Sequence, residues 1–119
     1  MRRLLAPAVA ALAVLALASA ADARPHATTL HISALATGLK YSTTHLTAKA
    51  GTVTIVMKNL SSVQHDVAIK VGSVTKKGKT VGKGGVSTVT ATLKKGMYEF
   101  LCTVDAHAQA GMKGTLTVT

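Results

Sequence analysis

Residues 96–112 read GMYEFLCTVDAHAQAGM, and the fold turns on how this stretch is interpreted. Tyr98, Phe100 and Cys102 recur with period two, so they share one inward face of a strand. After Cys102 the pattern stops. Four residues separate Cys102 from His107 and four more separate His107 from Met112, with Gly111 just before Met112 to let the chain reverse. A strand that delivers a thiol, followed by a short loop that returns an imidazole and a thioether, brings three soft or borderline donors towards one point.

Working outward, the same period-two alternation recurs on both sides. Strands are expected over Thr28–Leu35, Leu46–Ala48, Thr52–Asn59, His65–Val71, Val86–Leu93, Met97–Cys102 and Lys113–Thr119, with a short piece near Lys79–Val81. Val53, Ile55 and Met57 fall on one face, as do Val67, Ile69 and Val71, then Val89, Ala91 and Leu93, then Leu116 and Val118. Seven to eight short strands in a chain of 119 residues predict an all-β Greek-key antiparallel sandwich of two sheets with one core. Met57 and Met97 are expected to pack in that core. Gly72–Gly85, GSVTKKGKTVGKGG, reads as an exposed basic loop or hairpin, and Arg24–Ala27 as a loose start to the domain.

Residues 1–23 have a different composition. Arg2 and Arg3 precede an apolar run from Leu4 to Leu17, which ends in small residues with A-x-A sites at Ala20 and at Ala23. This is the layout of a secretory signal peptide, and the run is shorter than the about 20 residues a membrane-spanning helix needs. The expectation is an exported domain over residues 24–119, periplasmic, in the cell envelope or secreted, with no membrane span. The whole chain carries 14 Lys and Arg against 4 acids, net +10; losing residues 1–23 removes two Arg and one Asp and leaves +9. Three aromatic residues in all give no stacking platform for nucleic acid, so the charge points to an anionic protein partner or an anionic surface.

Cys102 is the only cysteine, which excludes an internal disulfide and calls for another occupant of the thiol in an oxidising compartment. His65 offers a second imidazole at the start of a strand. One thiolate, two imidazoles and one thioether form the His2Cys set with weak axial Met that suits copper in both oxidation states. A structural zinc site usually has four strong ligands with paired cysteines, and a two-cysteine binuclear copper centre needs a thiol this chain lacks. His26, His31 and His45 are read as surface or strand residues. Cleavage after Ala23 would expose Arg24-Pro25-His26, but Pro25 lacks the amide proton that an amino-terminal copper clip must lose.

GTVTIVMKNLSSVQHDV (residues 51–67) and GMYEFLCTVDAHAQAGM together resemble the cupredoxins, the family of plastocyanin, azurin, pseudoazurin and the phytocyanins. With the final strand GTLTVT, the similarity extends over most of residues 28–119. The resemblance implies a type 1 copper site with His65, Cys102 and His107 as equatorial ligands and Met112 as axial ligand. It also implies a monomeric carrier of single electrons, and the histidine count is too low for a second catalytic copper centre. Two rival functions keep the same fold: a copper carrier or buffer, and a copper-free binding module. The Cys102 to His107 gap is longer than in plastocyanin and nearer to azurin or phytocyanin spacing. Asp66 stands where many relatives have Asn, and its charge would lower the reduction potential unless it serves as a loop clamp; Asp105 stands where relatives often have Pro or Gly. Val104, Ala106, Ala108 and Ala110 are expected to form an apolar rim round His107. Leu101, outward beside Cys102, is expected to offer a second electron route.

Overall fold

The computed structural model describes residues 26–119, so the segment read as a signal peptide lies outside the described residues. Eight strands form in chain order: β1 His26–Ala34, β2 His45–Ala48, β3 Gly51–Asn59, β4 Ala68–Val71, β5 Val74–Lys77, β6 Val86–Leu93, β7 Gly96–Leu101 and β8 Lys113–Val118. They make two sheets, one in the order β1-β3-β6 and the other β2-β8-β7-β4-β5. Among the described residues no helix is long and apolar enough to cross a membrane.

The alternation expected from the sequence fixes which faces meet. Val53, Ile55 and Met57 are each 0% exposed, and they share one core with Val89, Ala91 and Leu93 of the neighbouring β6 and with Ile69, Leu116 and Val118 of the other sheet. Burying a side chain of this size contributes about 1.5–3 kcal/mol, so the central strand β3 anchors the core. Phe100 is fully buried and meets Tyr41, their ring centroids 5.6 Å apart. Gly114 makes room for that ring: a Cβ there would lie 2.5 Å from the Thr44 carbonyl oxygen and overlap the Phe100 ring edge.

The all-β sandwich is as the sequence predicts, with local differences. The pairings β1–β3 and β2–β8 are parallel, while the others are antiparallel. β1 begins at His26, which pairs with Gly51, so His26 and Ala27 are strand and not a loose start. Regular pairing in β4 starts only at Ala68; His65 instead forms an isolated bridge to Val81, which is all that remains of the strand expected near Lys79–Val81. The basic segment folds back as a β4–β5 hairpin turning at Gly72 and Ser73, with all four residues of β5 exposed. Met97 is 75% exposed and is not core, because it alternates with Tyr98 and Phe100 to the outer face of β7. Leu101 is only 7% exposed, so it does not offer the open route expected beside Cys102.

Candidate metal centre

β3 ends at Asn59, β4 and β8 start beyond the segments that carry His65 and Met112, and β7 delivers Cys102, so all four candidate donors come to one end of the sandwich. The segment between β3 and β4 is shaped by its own polar side chains. Asn59, fully buried, donates from Nδ2 to the carbonyls of Val63 (2.7 Å) and Val81 (2.9 Å) and accepts from the Ser61 amide at 2.9 Å. The turn so formed presents His65 inward, and the ring is 0% exposed.

Ser61 sets which nitrogen of His65 is free. Its hydroxyl donates to the Val63 carbonyl (3.1 Å) and accepts from the Val63 amide (2.9 Å). With its one proton spent, it can only accept from His65 Nε2, 3.1 Å away. That places the ring proton on Nε2 and leaves the lone pair on Nδ1 turned towards Cys102 Sγ, 3.8 Å distant.

The loop from Cys102 to Met112 winds back on itself. The His107 amide donates to the Val104 carbonyl, the Met112 amide to the His107 carbonyl at 3.0 Å, and the Cys102 amide to the Met112 carbonyl at 3.1 Å. The loop closes because two positions take positive φ: Gly111 at 108° and Asp105 at 45°, the latter a conformation that Asp tolerates better than most residues. This accounts for Asp at a position where Gly would be at ease. His107 Nδ1 lies 3.6 Å from Cys102 Sγ, and the two imidazole rings are 4.9 Å apart at 60°. His107 is 8% exposed, and Met112 is fully buried in the same core cluster as Cys102. Around His107, Ala106 and Ala110 are exposed and Val104 and Ala108 partly so.

Across the site, Asp66 joins the two segments. Its carboxylate accepts the Thr103 amide at Oδ1 (2.7 Å) and the Thr103 hydroxyl at Oδ2, while its own carbonyl accepts the Tyr41 hydroxyl at 2.6 Å. Asp66 is thus the loop clamp that the sequence allowed. Asn59, Ser61, Tyr41 and Thr103 carry these contacts and were not singled out from sequence; the run Asn59–Ser62 before a histidine is the one local signal, since Asn and Ser bond readily to nearby backbone.

The donor atoms of His65, Cys102 and His107 lie within 4.8 Å of one another, all three buried. Donors 3.6–3.8 Å apart suit one ion held by bonds of about 2.0–2.3 Å, and a single thiol with two imidazoles matches the preference of copper over zinc. Burial pushes the Cys102 thiol above its ordinary range, the main cause, and it pushes the His65 imidazole below its own, with the neighbouring His107 adding to the effect. The metal-free pocket therefore keeps both groups neutral, with the imidazole ready to bind and the thiol needing to lose its proton as a metal enters. His26, His31 and His45 are exposed and stand apart from this cluster.

A family model described as a cupredoxin-like domain matches residues 7–118. Among solved structures, the dithionite-reduced auracyanin of the photosynthetic bacterium Roseiflexus castenholzii is 31% identical, with a TM-score of 0.71 over 77% of this chain and 97% of that one. Auracyanin A of Chloroflexus aurantiacus, described as a "blue" copper protein of a green thermophilic photosynthetic bacterium, is 27% identical, with a TM-score of 0.69 over 79% of this chain and 100% of that one. Auracyanin B is 25% identical, with a TM-score of 0.69 over 81% and 91%. No curated protein sequence matches the chain.

Proposed function

The chain belongs to the cupredoxin family, and on that premise we propose that it carries single electrons on one type 1 copper ion held by His65, Cys102 and His107, with Met112 as the weak axial ligand. The observation that carries this is the buried convergence of one thiol and two imidazole nitrogens within 4.8 Å. Copper bound there supplies a one-electron couple between Cu(I) and Cu(II). The protein's part is to keep the pocket from rearranging. Asn59 and Ser61 hold His65, the closed loop holds His107 and Met112, and Asp66 ties the Cys102 side to the His65 side.

Electrons enter and leave at the His107 end, where Val104, Ala106, Ala108 and Ala110 border the ring. Leu60 and Val63, 40% and 46% exposed in the segment leading to His65, are further exposed apolar side chains on a segment that carries a ligand. The partner is an acidic redox protein. Lys79 and Lys83 flank Val81, which pairs with His65, and Lys76 and Lys77 lie exposed on β5, so positive charge stands beside the docking end. Residues 1–23 direct export and are removed, and the domain works as a monomer outside the cytoplasm.

The test is a pair of rates on the copper-loaded chain. Electron self-exchange that is fast while copper stays bound supports the electron carrier. Slow self-exchange with rapid transfer of copper to an acceptor protein contradicts it and favours a copper carrier, and a chain that takes up no copper favours a binding module.

A further inference from the structure

The two sides of the pocket differ in charge. Residues 102–112 carry one charged side chain, the exposed Asp105, and Lys113 just beyond them lines a shallow depression with His45, Met97 and Glu99 over β2, β7 and β8. The His65 side meets the opposite charge. Residues 67–98 contain no acid, and Lys76, Lys77, Lys79 and Lys83 are all exposed on β5 and the loop after it. An anionic partner is therefore drawn to this loop, while Asp105 repels it from the His107 loop.

The lysine loop is fastened to His65 itself. The Val81 amide donates to the His65 carbonyl at 2.9 Å, and the His65 amide donates back to the Val81 carbonyl at 3.1 Å. Asn59 Nδ2 donates to the same Val81 carbonyl at 2.9 Å. On either side, the Gly78 amide donates to the Val67 carbonyl at 2.9 Å and the Gly84 amide to the Asn59 carbonyl at 2.7 Å, so the loop is held along its length. The Val81 side chain packs on the core, whereas Lys79, Thr80, Gly82 and Lys83 beside it are exposed. From the surface of this loop to the His65 ring the path is one short hydrogen bond followed by the covalent backbone and side chain of His65. Beside Cys102 there is no comparable opening, since Leu101 is 7% exposed.

We propose that residues 79–83 form a second electron port, where an anionic redox partner exchanges one electron with the copper centre through the Val81–His65 hydrogen bond, while neutral and cationic partners use the apolar surface at His107. This rests on the copper reading above. When the reduced chain reacts, Cu(I) gives up one electron and becomes Cu(II), and the partner's oxidised group takes that electron. No bond is made or broken and no proton moves.

The experiment compares two oxidants of the reduced, copper-loaded chain in stopped flow: hexacyanoferrate(III), an anion that becomes hexacyanoferrate(II), and tris(phenanthroline)cobalt(III), a cation that becomes the cobalt(II) complex. The quantity read is the anion rate divided by the cation rate, because a change in the copper's own potential moves both rates in the same direction. Replacing Lys79→Gln together with Lys83→Gln should lower this ratio about tenfold. Val81→Pro removes the amide donor and keeps the carbonyl, and should lower the ratio several-fold. An unchanged ratio in the lysine variant, or a Val81→Pro chain that keeps both its blue band and the wild-type ratio, overturns the port. Hexacyanocobaltate(III), a redox-inert anion of the same charge and shape, gives a reading that needs neither copper nor a variant when it is titrated into the isotope-labelled metal-free chain. Saturating NMR shifts at the amides of residues 79–83 support the port; shifts confined to residues 103–111, or none at all, overturn it. A wild-type chain without the blue band overturns the copper reading instead, wherever the anion binds.

Discussion

Ser61 Oγ lies 3.1 Å from His65 Nε2 and spends its own proton on the Val63 carbonyl, so one hydroxyl both shapes the turn and fixes the tautomer of the ring that faces Cys102. Ser61→Ala leaves a buried ring N–H and the Val63 amide without this acceptor. Each unsatisfied buried group costs about 1–3 kcal/mol, and loss of such a support lowers metal affinity by about 10–100-fold. Thermal unfolding of the metal-free variant and a competition titration with a Cu(I) chelator should show both losses. Wild-type stability together with wild-type affinity would show that the ring is held by its packing alone.

Gly114 offers a test of the fold that does not involve the site. Its missing Cβ leaves space for the Phe100 ring and the Thr44 carbonyl, one of which belongs to rigid backbone. Gly114→Ala is expected to destabilise the chain by about 1–3 kcal/mol or more, read as a lower denaturant midpoint. An unchanged midpoint would mean that β8 shifts freely against β7.

The metal-free chain should be most stable in a window around neutral pH. The His65 pKa is lowered in the fold, so the unfolded chain takes up that proton first, and stability falls as pH drops below about 6.5. The Cys102 pKa is raised, so the unfolded chain loses that proton first, and stability falls as pH rises above about 8.5. Thermal midpoints of the metal-free chain across this range check both arms. A curve that is level on the acid side would contradict the buried neutral imidazole, and one level on the alkaline side the buried thiol.

Steering by the β4–β5 hairpin and its following loop predicts a salt effect. Replacing Lys76, Lys77, Lys79 and Lys83 with Gln should slow electron transfer with an acidic redox protein and flatten its dependence on ionic strength, as stopped-flow rates would record. A wild-type rate that does not fall as salt rises would contradict steering by these lysines.

The strand faces were legible in the sequence because a half-buried strand writes its burial with period two: Val53, Ile55 and Met57 sit where alternation puts them. The convergence of His65, Cys102 and His107 was legible because their chemistry is scarce in this chain, with one cysteine and five histidines. Met97 was not, since an apolar residue at a strand's start obeys the alternation only if the register of Tyr98 and Phe100 is carried one step back. Leu101 faces away from the main core and is still covered, which a single strand's pattern cannot express. The parallel pairings of β1 and β2 arise from long-range contacts that leave no local mark. Ser61, Tyr41 and Thr103 escaped notice for a different reason: they touch other segments through single hydrogen bonds, and Ser, Thr and Tyr are common enough to look ordinary until the fold brings them together.

The most direct measurement is the visible absorption spectrum as Cu(II) is added to the purified mature domain and to its Cys102→Ser variant. An intense blue charge-transfer band that saturates at one copper per chain, and disappears in the variant, is the predicted result. A colourless copper-bound chain, or a serine variant that keeps both the band and the redox wave, would contradict thiolate ligation by Cys102.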